Sequence, residues 1–363
     1  MRPEDAEWDV VIAGASFAGL SAAAHLTGRV LVLGQEPVGA VQRSACGAPA
    51  EMFEALGAQD AVLQVHRNFW LHTATDDIYL PLARPFCTFD YARLCQTLLE
   101  RSGAVFHHCR VLGVARDGSI LTSAGPVRAR AMIDATGWHA TLASSLRRGF
   151  VRPDHASFGL ESVVDCRGED MHFYFAPDIL PNGVAWIFPA GDHCRLGVGS
   201  YRGQTRGMGE ALRCFVGRHG QELGPRHGGL FPYRLRRGTV GTLFLCGDAA
   251  GQCLPLTGEG IRTSLYFGSL CARHVQEFVD GRCTLAEARR AYRGAAARHR
   301  GVYRSLFRLQ WLINHLPNRF TSRLVRAAVE RGAFHRMMDL YLDTFMLSER
   351  HQSGDGDRVC AAQ

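Results

Sequence analysis

A short, β-branched apolar run opens the chain at residues 9–13 (DVVIA) and is closed by Gly14, the pattern of a strand buried on both faces. GASFAG follows at 14–19, and LSAAAHL then has the Ala and Leu content of a helix. RVLVL at 29–33 predicts a second buried strand. Residues 60–88 alternate weakly and predict antiparallel strands with polar faces. At 89–103, FDYARLCQTLLERSG places Leu94, Leu98 and Leu99 on one helical face. Strand-like GAVFHHCRVLGV and a hairpin turned at Asp117–Gly118 come next, then ARAMIDATG at 129–137, a strand ending on a small-residue turn. From 150 to 240 the pattern is strand-rich and punctuated by Gly, with almost no long helical period, as in a separate sheet. TLFLC at 242–246 is again a buried strand, and GDAAG, a Pro-containing loop and TGEGI lead from it into an amphipathic helix.

Strand, glycine turn, helix and strand within about 30 residues is the context in which a dinucleotide fingerprint is credible. Gly14 permits the tight turn, and position 16 must be small so that backbone amides approach a pyrophosphate. Gly19 lets helix and strand pack closely, and the helix start supplies the positive end of a dipole. Ser16 stands where the fingerprint has Gly, and its hydroxyl can itself bond a phosphate oxygen. Gly34 occupies the place of the ribose-binding acid, which leaves Glu36 as the nearest substitute. The turn at Gly137 is suited to carrying backbone close to a cofactor. Late in the chain, Asp248 at a strand end can accept a bond from a polyol hydroxyl. Gly258, Gly260 and Ile261 present amides at a helix start, where the pyrimidine end of a reduced flavin gains negative charge.

Of 363 residues, 47% are hydrophobic and 21% charged, which excludes a disordered or fibrous chain. All 41 basic residues are Arg. Without lysine there is no Schiff-base chemistry and no ordinary P-loop. The 12 cysteines are scattered with no CxxC pair, so neither a disulfide scaffold nor a zinc site is expected, and most should be buried thiols in a reducing compartment. The histidines lack metal-ligand spacing, and no metal is expected. The N-terminal stretch is too acidic for a signal peptide and no apolar run reaches 18 residues, which predicts a cytoplasmic protein. Residues 288–336 hold 12 Arg against Glu330 alone, with Val302, Leu306, Phe307, Trp311 and Leu312 interleaved. This reads either as a helical cover with a solvated basic face or as a segment that rests on anionic lipid. Nucleic-acid binding has only that charge in its favour.

GASFAG, DATG at 134–137 and GDAAGQCLPLTGEGI together resemble the FAD-dependent oxidoreductases of the p-hydroxybenzoate hydroxylase fold, and among them the geranylgeranyl reductase family. QRSACGAP at 42–49 is similar to that family's cysteine-bearing segment beside the flavin. PNGVAWIFP at 181–189 is similar to its PxxYxWxFP substrate motif through Pro181, Trp186, Phe188 and Pro189, with Val184 in place of Tyr. The resemblance spans roughly residues 8–275. It implies an α/β chain with a discontinuous Rossmann-type FAD-binding domain (1–60, 88–148, 238–285), an inserted antiparallel-sheet substrate domain (61–87, 149–237) and a C-terminal helical region (286–363). It further implies flavin contacts from Ala15, Ala18, Ala45, Val111 and Pro255, a pyrophosphate contact from Arg43, and a role in reduction for Cys46. Phe86 replaces the family's Arg three residues before FD, so adenine-side packing should differ. The implied reaction reduces or forms a carbon–carbon double bond in an apolar substrate walled by Val184, Trp186 and Phe188 without a charged anchor. Electrons would come from NADPH or a ferredoxin-type protein. A monooxygenase of the same fold is the alternative, and a halogenase would need the lysine this chain lacks.

Overall fold

In the computed structural model, residues 8–316 and 318–347 are described. The outer ends of the first and last assigned regions, residues 1–7 and 348–363, lie outside the described residues.

Five strands form a parallel sheet in the order Leu243–Leu245, Ala129–Asp134, Trp8–Ala13, Val30–Gly34 and Val105–His108, with Thr239–Val240 antiparallel at one edge. Val10 and Ile12 face a layer of helices, whereas Val11 and Ala13 face the opposite side; all four are fully buried. That two-sided burial is why these strands read as continuous apolar runs. Helices Phe17–Ala24, Tyr91–Ser102 and Ile261–Val279 supply the first layer. The other face is covered by a three-stranded meander (Val111–Val114, Ile120–Thr122, Gly125–Val127) and the short helix Thr141–Leu146.

Two close backbone approaches lock the first helix in place. A Cβ on Gly19 would lie 1.9 Å from the Gly14 carbonyl oxygen, and one on Gly268 would lie 2.4 Å from the Ala18 carbonyl oxygen. Helix Phe17–Ala24 is thus pressed between the turn that precedes it and helix Ile261–Val279, with no room for a methyl group at either contact.

The second sheet has eight strands in the order Arg226–Pro232, Ala156–Val164, His193–Ser200, Gly183–Ala190, Met171–Phe175, Val62–Thr73, Asp77–Phe89 and Gly47–Pro49. It is mixed rather than wholly antiparallel, because Met171–Phe175 pairs in parallel with Val62–Thr73. Its last strand comes from the stretch 1–60 that the motifs assign to the cofactor domain. Helix Met208–Arg218 interrupts the strand-rich region, where no long helical period was expected. Its Leu212, Phe215 and Val216 bury the back of the sheet against Ala185, Leu196 and Val198. Alternation along each strand therefore turns Glu161, Val184, Trp186, Phe188, Gly197 and His227 toward the front.

One sequence expectation is corrected here. Cys166 and Cys194 form a disulfide, brought together with Cα atoms 5.4 Å apart where strand His193–Ser200 passes the bend after Val164. Spacing of 28 residues hides such a pair from any local motif. Phe86 is half-buried on the second sheet, its ring 4.9 Å from that of Phe69.

The C-terminal helices Leu285–Arg298, Arg300–His315, Asn318–Glu330 and Ala333–Asp343 lie across both sheets. Tyr292 and Tyr303 join the core of the parallel sheet, while Val325, Val329 and Phe334 pack on the front of the second. Polar ties bind them there: Arg84 Nη1 donates to Asp343 at 2.6 Å, and Ser322 Oγ donates to Thr73 Oγ1 at 2.8 Å.

Candidate functional site

The turn after the first strand is extended and tight. Gly14 has φ +117°, open to glycine, and a Cβ there would meet the Ala135 carbonyl oxygen at 2.1 Å. Ser16 caps helix Phe17–Ala24, makes no side-chain cap bond, and turns its hydroxyl to Tyr91 Oη at 3.1 Å. Ala15 is half-buried and Ala18 buried beside it. Directly across lies the DATG turn, and it is organised by Asp134. This fully buried carboxylate accepts from Thr136 N (3.1 Å), Thr136 Oγ1 (2.7 Å) and Ala143 N (2.8 Å), while desolvation raises its pKa. Gly137, at φ +72°, has open space where a Cβ would stand.

Arg236, which the sequence reading missed, ties this turn to the next. Its Nη1 donates to the Trp138 carbonyl (2.9 Å) and the Asp248 carbonyl (3.2 Å), and burial lowers its pKa. Its buried Nη2 makes no hydrogen bond. Nor does the Asp248 carboxylate bond to any described residue; burial pushes its pKa up to about 6 against the opposing pull of Arg236. A half-buried carboxylate and a buried guanidinium nitrogen without partners are costly in a protein alone, and both fit a polyol ligand between the two turns.

The loop after Asp248 is held from outside the parallel sheet. Leu256, at φ +68°, donates its N–H to Gln310 Oε1 at 2.6 Å and accepts from Tyr201 Oη at 2.8 Å. Pro255 is buried below it. Gly258 (φ +64°), Gly260 and Ile261 then start a 19-residue helix. Glu259 between them is locked to the fully buried Arg262 in a bidentate pair (2.6 and 2.8 Å). Arg262 also donates to the Leu342 carbonyl at 2.7 Å, and Tyr341 Oη donates to Glu259. The C-terminal helix is thereby pinned to the start of helix Ile261–Val279. An Arg one turn after GEG was the available sequence signal for this strap.

The segment 42–46 runs along the second sheet, with Gln42 reaching His227 on it. Cys46 is fully buried at φ +54° and donates its thiol to the Ser44 carbonyl at 3.3 Å. Burial drives its pKa far up, so it is a neutral thiol and no thiolate nucleophile. Buried Arg195 holds this segment by donating to the Ala45 and Phe89 carbonyls, each at 3.0 Å. Arg43 is exposed and close enough to His139, beyond Gly137, to lower its pKa in addition to the effect of burial. Glu36 is exposed after the second strand, and Val111 is half-buried at the start of the meander. The structure thus sets the DATG turn against the fingerprint through the Gly14–Ala135 approach and ties it through Arg236 to the Asp248 turn, whose loop runs on to the Gly258–Ile261 start.

Val184, Trp186 and Phe188 share the front face of the second sheet, as the period of two predicts. The wall is not without charge, however. Trp186 Nε1 donates at 2.7 Å to Glu161, a carboxylate only 2% exposed that the sequence reading passed over. An acid at an inward position of the strand ASFGLESVV was the signal to see.

No protein-family model matches the chain. The fold is that of the p-hydroxybenzoate hydroxylase-like FAD-binding oxidoreductases. A geranylgeranyl bacteriochlorophyll reductase-like protein of Thermoplasma acidophilum superposes with a TM-score of 0.80 at 18% identity, covering 88% of this chain and 91% of that one. A probable FAD-dependent monooxygenase of Pseudomonas aeruginosa gives 0.65 at 18% identity, covering 85% and 96%. In sequence, the chain is similar to reductases of the geranylgeranyl reductase family. It is 27% identical to digeranylgeranylglycerophospholipid reductase 2 of Methanothermobacter thermautotrophicus over 76% of this chain and 79% of that protein. Its identity to reductase 2 of Methanopyrus kandleri is 26%, over 79% and 81%. These relatives support an FAD-dependent oxidoreductase.

Replacing Arg262 by Met should leave Glu259 buried without its partner and lower stability by about 3–5 kcal/mol. Urea denaturation followed by circular dichroism measures this, and Glu259→Gln in the same chain should recover part of the loss.

Proposed function

We propose that the chain binds FAD between the two glycine motifs and uses it to reduce, or in reverse to form, a carbon–carbon double bond in a prenyl-like lipid. The observation that carries the reading is the apolar front face of the second sheet. Phe173, Trp186 and Phe188 line it, and Val325, Val329 and Phe334 of the C-terminal helices pack over it. Such a face suits an apolar chain rather than a small acid. The relatives named for reduction of digeranylgeranylglycerophospholipids point to the same substrate class.

For the cofactor, the amides of Gly14–Ser16 and the start of helix Phe17–Ala24 would meet the pyrophosphate, with Arg43 alongside. Asp248 would take a ribityl hydroxyl, and the start of helix Ile261–Val279 would face the pyrimidine end. Bound there, FAD supplies hydride chemistry. The protein's part is to hold the alkene against it, exclude water and supply a proton. With one fingerprint in the chain, the reductant would come from outside, as NADPH or a ferredoxin-type protein. Lack of any lysine supports this reading over a halogenase.

Asp248 gives the cofactor assignment a pH signature. Its pKa in the free protein is raised to about 6, so ionising it costs stability as pH rises through that value. A hydroxyl donor favours the ionised form, so FAD should bind more tightly as pH rises from 5 to 7, by about tenfold for each unit by which binding lowers that pKa. Fluorescence titration checks this, and Asp248→Asn should flatten the dependence.

Anaerobic reduction of the holoprotein by dithionite, followed by a digeranylgeranylglycerophospholipid in detergent micelles, tests the reaction. Saturated lipid by mass spectrometry is the expected product. Unchanged lipid, with hydroxylated product only after oxygen is admitted, would indicate the monooxygenase instead.

We also propose that the C-terminal helices rest on an anionic lipid surface. None of the described helices is long and apolar enough to cross a membrane. Yet Trp311 and Leu312, then Phe320 and Leu324, then Met337 and Leu340 are exposed on three successive helices, with Leu340 at 72%. The exposed Arg304, Arg308, Arg319 and Arg323 accompany them, a combination that suits an interfacial contact. These helices also roof the substrate face, so lipid would lie next to its entry. Vesicles with about a third phosphatidylglycerol should sediment the protein and neutral vesicles should not. Leu324→Asp with Leu340→Asp should abolish binding.

A further inference from the structure

The disulfide of the second sheet opens onto a cavity on the face opposite Trp186 and Phe188. Cys166 and Cys194, joined in that bridge, line about 300 Å³ of space together with His172, Ile187, Leu196 and His219. Strand pairing builds the floor: His172 stands directly opposite Ile187, and Ile187 opposite Leu196, so the three form one row across the sheet. Helix Met208–Arg218 packs on the same face, and His219, just beyond its end, lines the cavity. Of the two bridged residues, Cys194 is fully buried and Cys166 half-buried.

His172 ends a chain of hydrogen bonds. His72 Nδ1 donates to Asp77 Oδ1 at 2.7 Å, and His72 Nε2 accepts from His172 Nδ1 at 2.9 Å. With a carboxylate at one end and both rings neutral, this is the one placement of protons that makes both bonds, and it leaves a lone pair on His172 Nε2. That nitrogen bonds to no described residue. The nearby Asp170 is already engaged by Asn68 Nδ2 at 2.9 Å and Trp70 Nε1 at 3.1 Å. Trp70 stacks on His172 and Tyr174 on His72, which fixes both ring planes. Burial, with His72 beside it, brings the His172 pKa down to about 4, so the ring stays neutral at physiological pH.

We propose that this cavity is a thiol–disulfide exchange site, where a small thiol opens the Cys166–Cys194 bridge. The bridge faces space enough for such a molecule, and His172 presents an acceptor for its S–H in the same space. The thiol sulfur attacks Sγ of Cys166, the less buried of the two. A bond forms between them, the Cys166–Cys194 bond breaks, and its electron pair leaves on Cys194. The thiol proton passes by way of His172 Nε2 to Cys194, which becomes a free thiol. A second thiol molecule attacks the mixed disulfide in the same way. Two thiols are then oxidised to their own disulfide, and the bridge is reduced to two cysteines. The step is independent of the flavin reading, since Glu161, Trp186 and Phe188 are on the other face of the sheet.

The test applies 2-mercaptoethanol to the full chain at neutral pH. A thiol exchanges with a disulfide but does not add to the free cysteines of the described residues, so the added mass reports the bridge. Acid quenching, alkylation by N-ethylmaleimide in denaturant and peptide mapping should find the probe on Cys166 and the alkyl group on Cys194. The rate should level off as probe concentration rises, because the thiol binds before it reacts, and should be at least that of the urea-unfolded chain. Ile187→Trp, which fills the cavity, should slow exchange about tenfold or more in the folded chain alone, by closing access to the sulfur. Should that variant fail to fold, His219→Trp makes the same test from an exposed position of the lining. His172→Phe, which keeps a ring in the stack and removes the acceptor, should slow exchange about tenfold or more. Three results overturn the site: a folded wild-type bridge that exchanges more slowly than in the unfolded chain, a rate that stays linear in probe, or a folded, cavity-filled variant that exchanges at the wild-type rate. A wild-type rate in His172→Phe overturns the proton path.

Discussion

Backbone-to-backbone contact at Gly19 is the constraint on which the rest of the structure depends. With the Gly14 carbonyl oxygen 1.9 Å from any Cβ at position 19, helix and strand approach each other only as bare peptide. Gly268 extends the same close contact to helix Ile261–Val279, whose start carries the second glycine motif. The two motifs are thus set relative to each other by missing methyl groups. Side chains at either place would part the helices, since packed interiors do not absorb added volume freely.

Asp134, Asp248 and Glu161 are three of the carboxylates this frame shields from solvent, and each does something different. Asp134 is satisfied by its own turn and is structural. Asp248 is left without a partner beside an unsatisfied Arg236 nitrogen, an arrangement that a ligand would complete. Glu161 accepts from the Trp186 indole with one oxygen and leaves the other buried without a hydrogen bond. Partner number, more than burial, separates a carboxylate that holds the fold from one that waits for chemistry.

Much of this was legible in the sequence because it rests on local pattern. The parallel strands, the helix at Tyr91–Ser102 and the two glycine motifs follow from periodicity and turn chemistry within short windows. What stayed hidden depends on long-range pairing. The strand Gly47–Pro49 joins its sheet only through Asp77–Phe89, and the Cys166–Cys194 bridge needs two strand ends to meet. Val184, Trp186 and Phe188 were found on one face by their spacing, but the carboxylate that anchors Trp186 comes from a strand 25 residues away. The strap of Arg262 across to residues 341–342 was equally out of reach, as its partners lie about 80 positions along the chain.

On the proposed function, a flavin lies between the two glycine motifs with its reactive face toward the second sheet. A crystal structure of the chain loaded with FAD tests it most directly. The expected result is the isoalloxazine ring between the Gly258–Ile261 start and the Cys46 segment, a ribityl hydroxyl on Asp248, and the face of the ring opposite Trp186. A ring system bound elsewhere, or turned so that strand Gly183–Ala190 lies behind its ribityl chain, would contradict it.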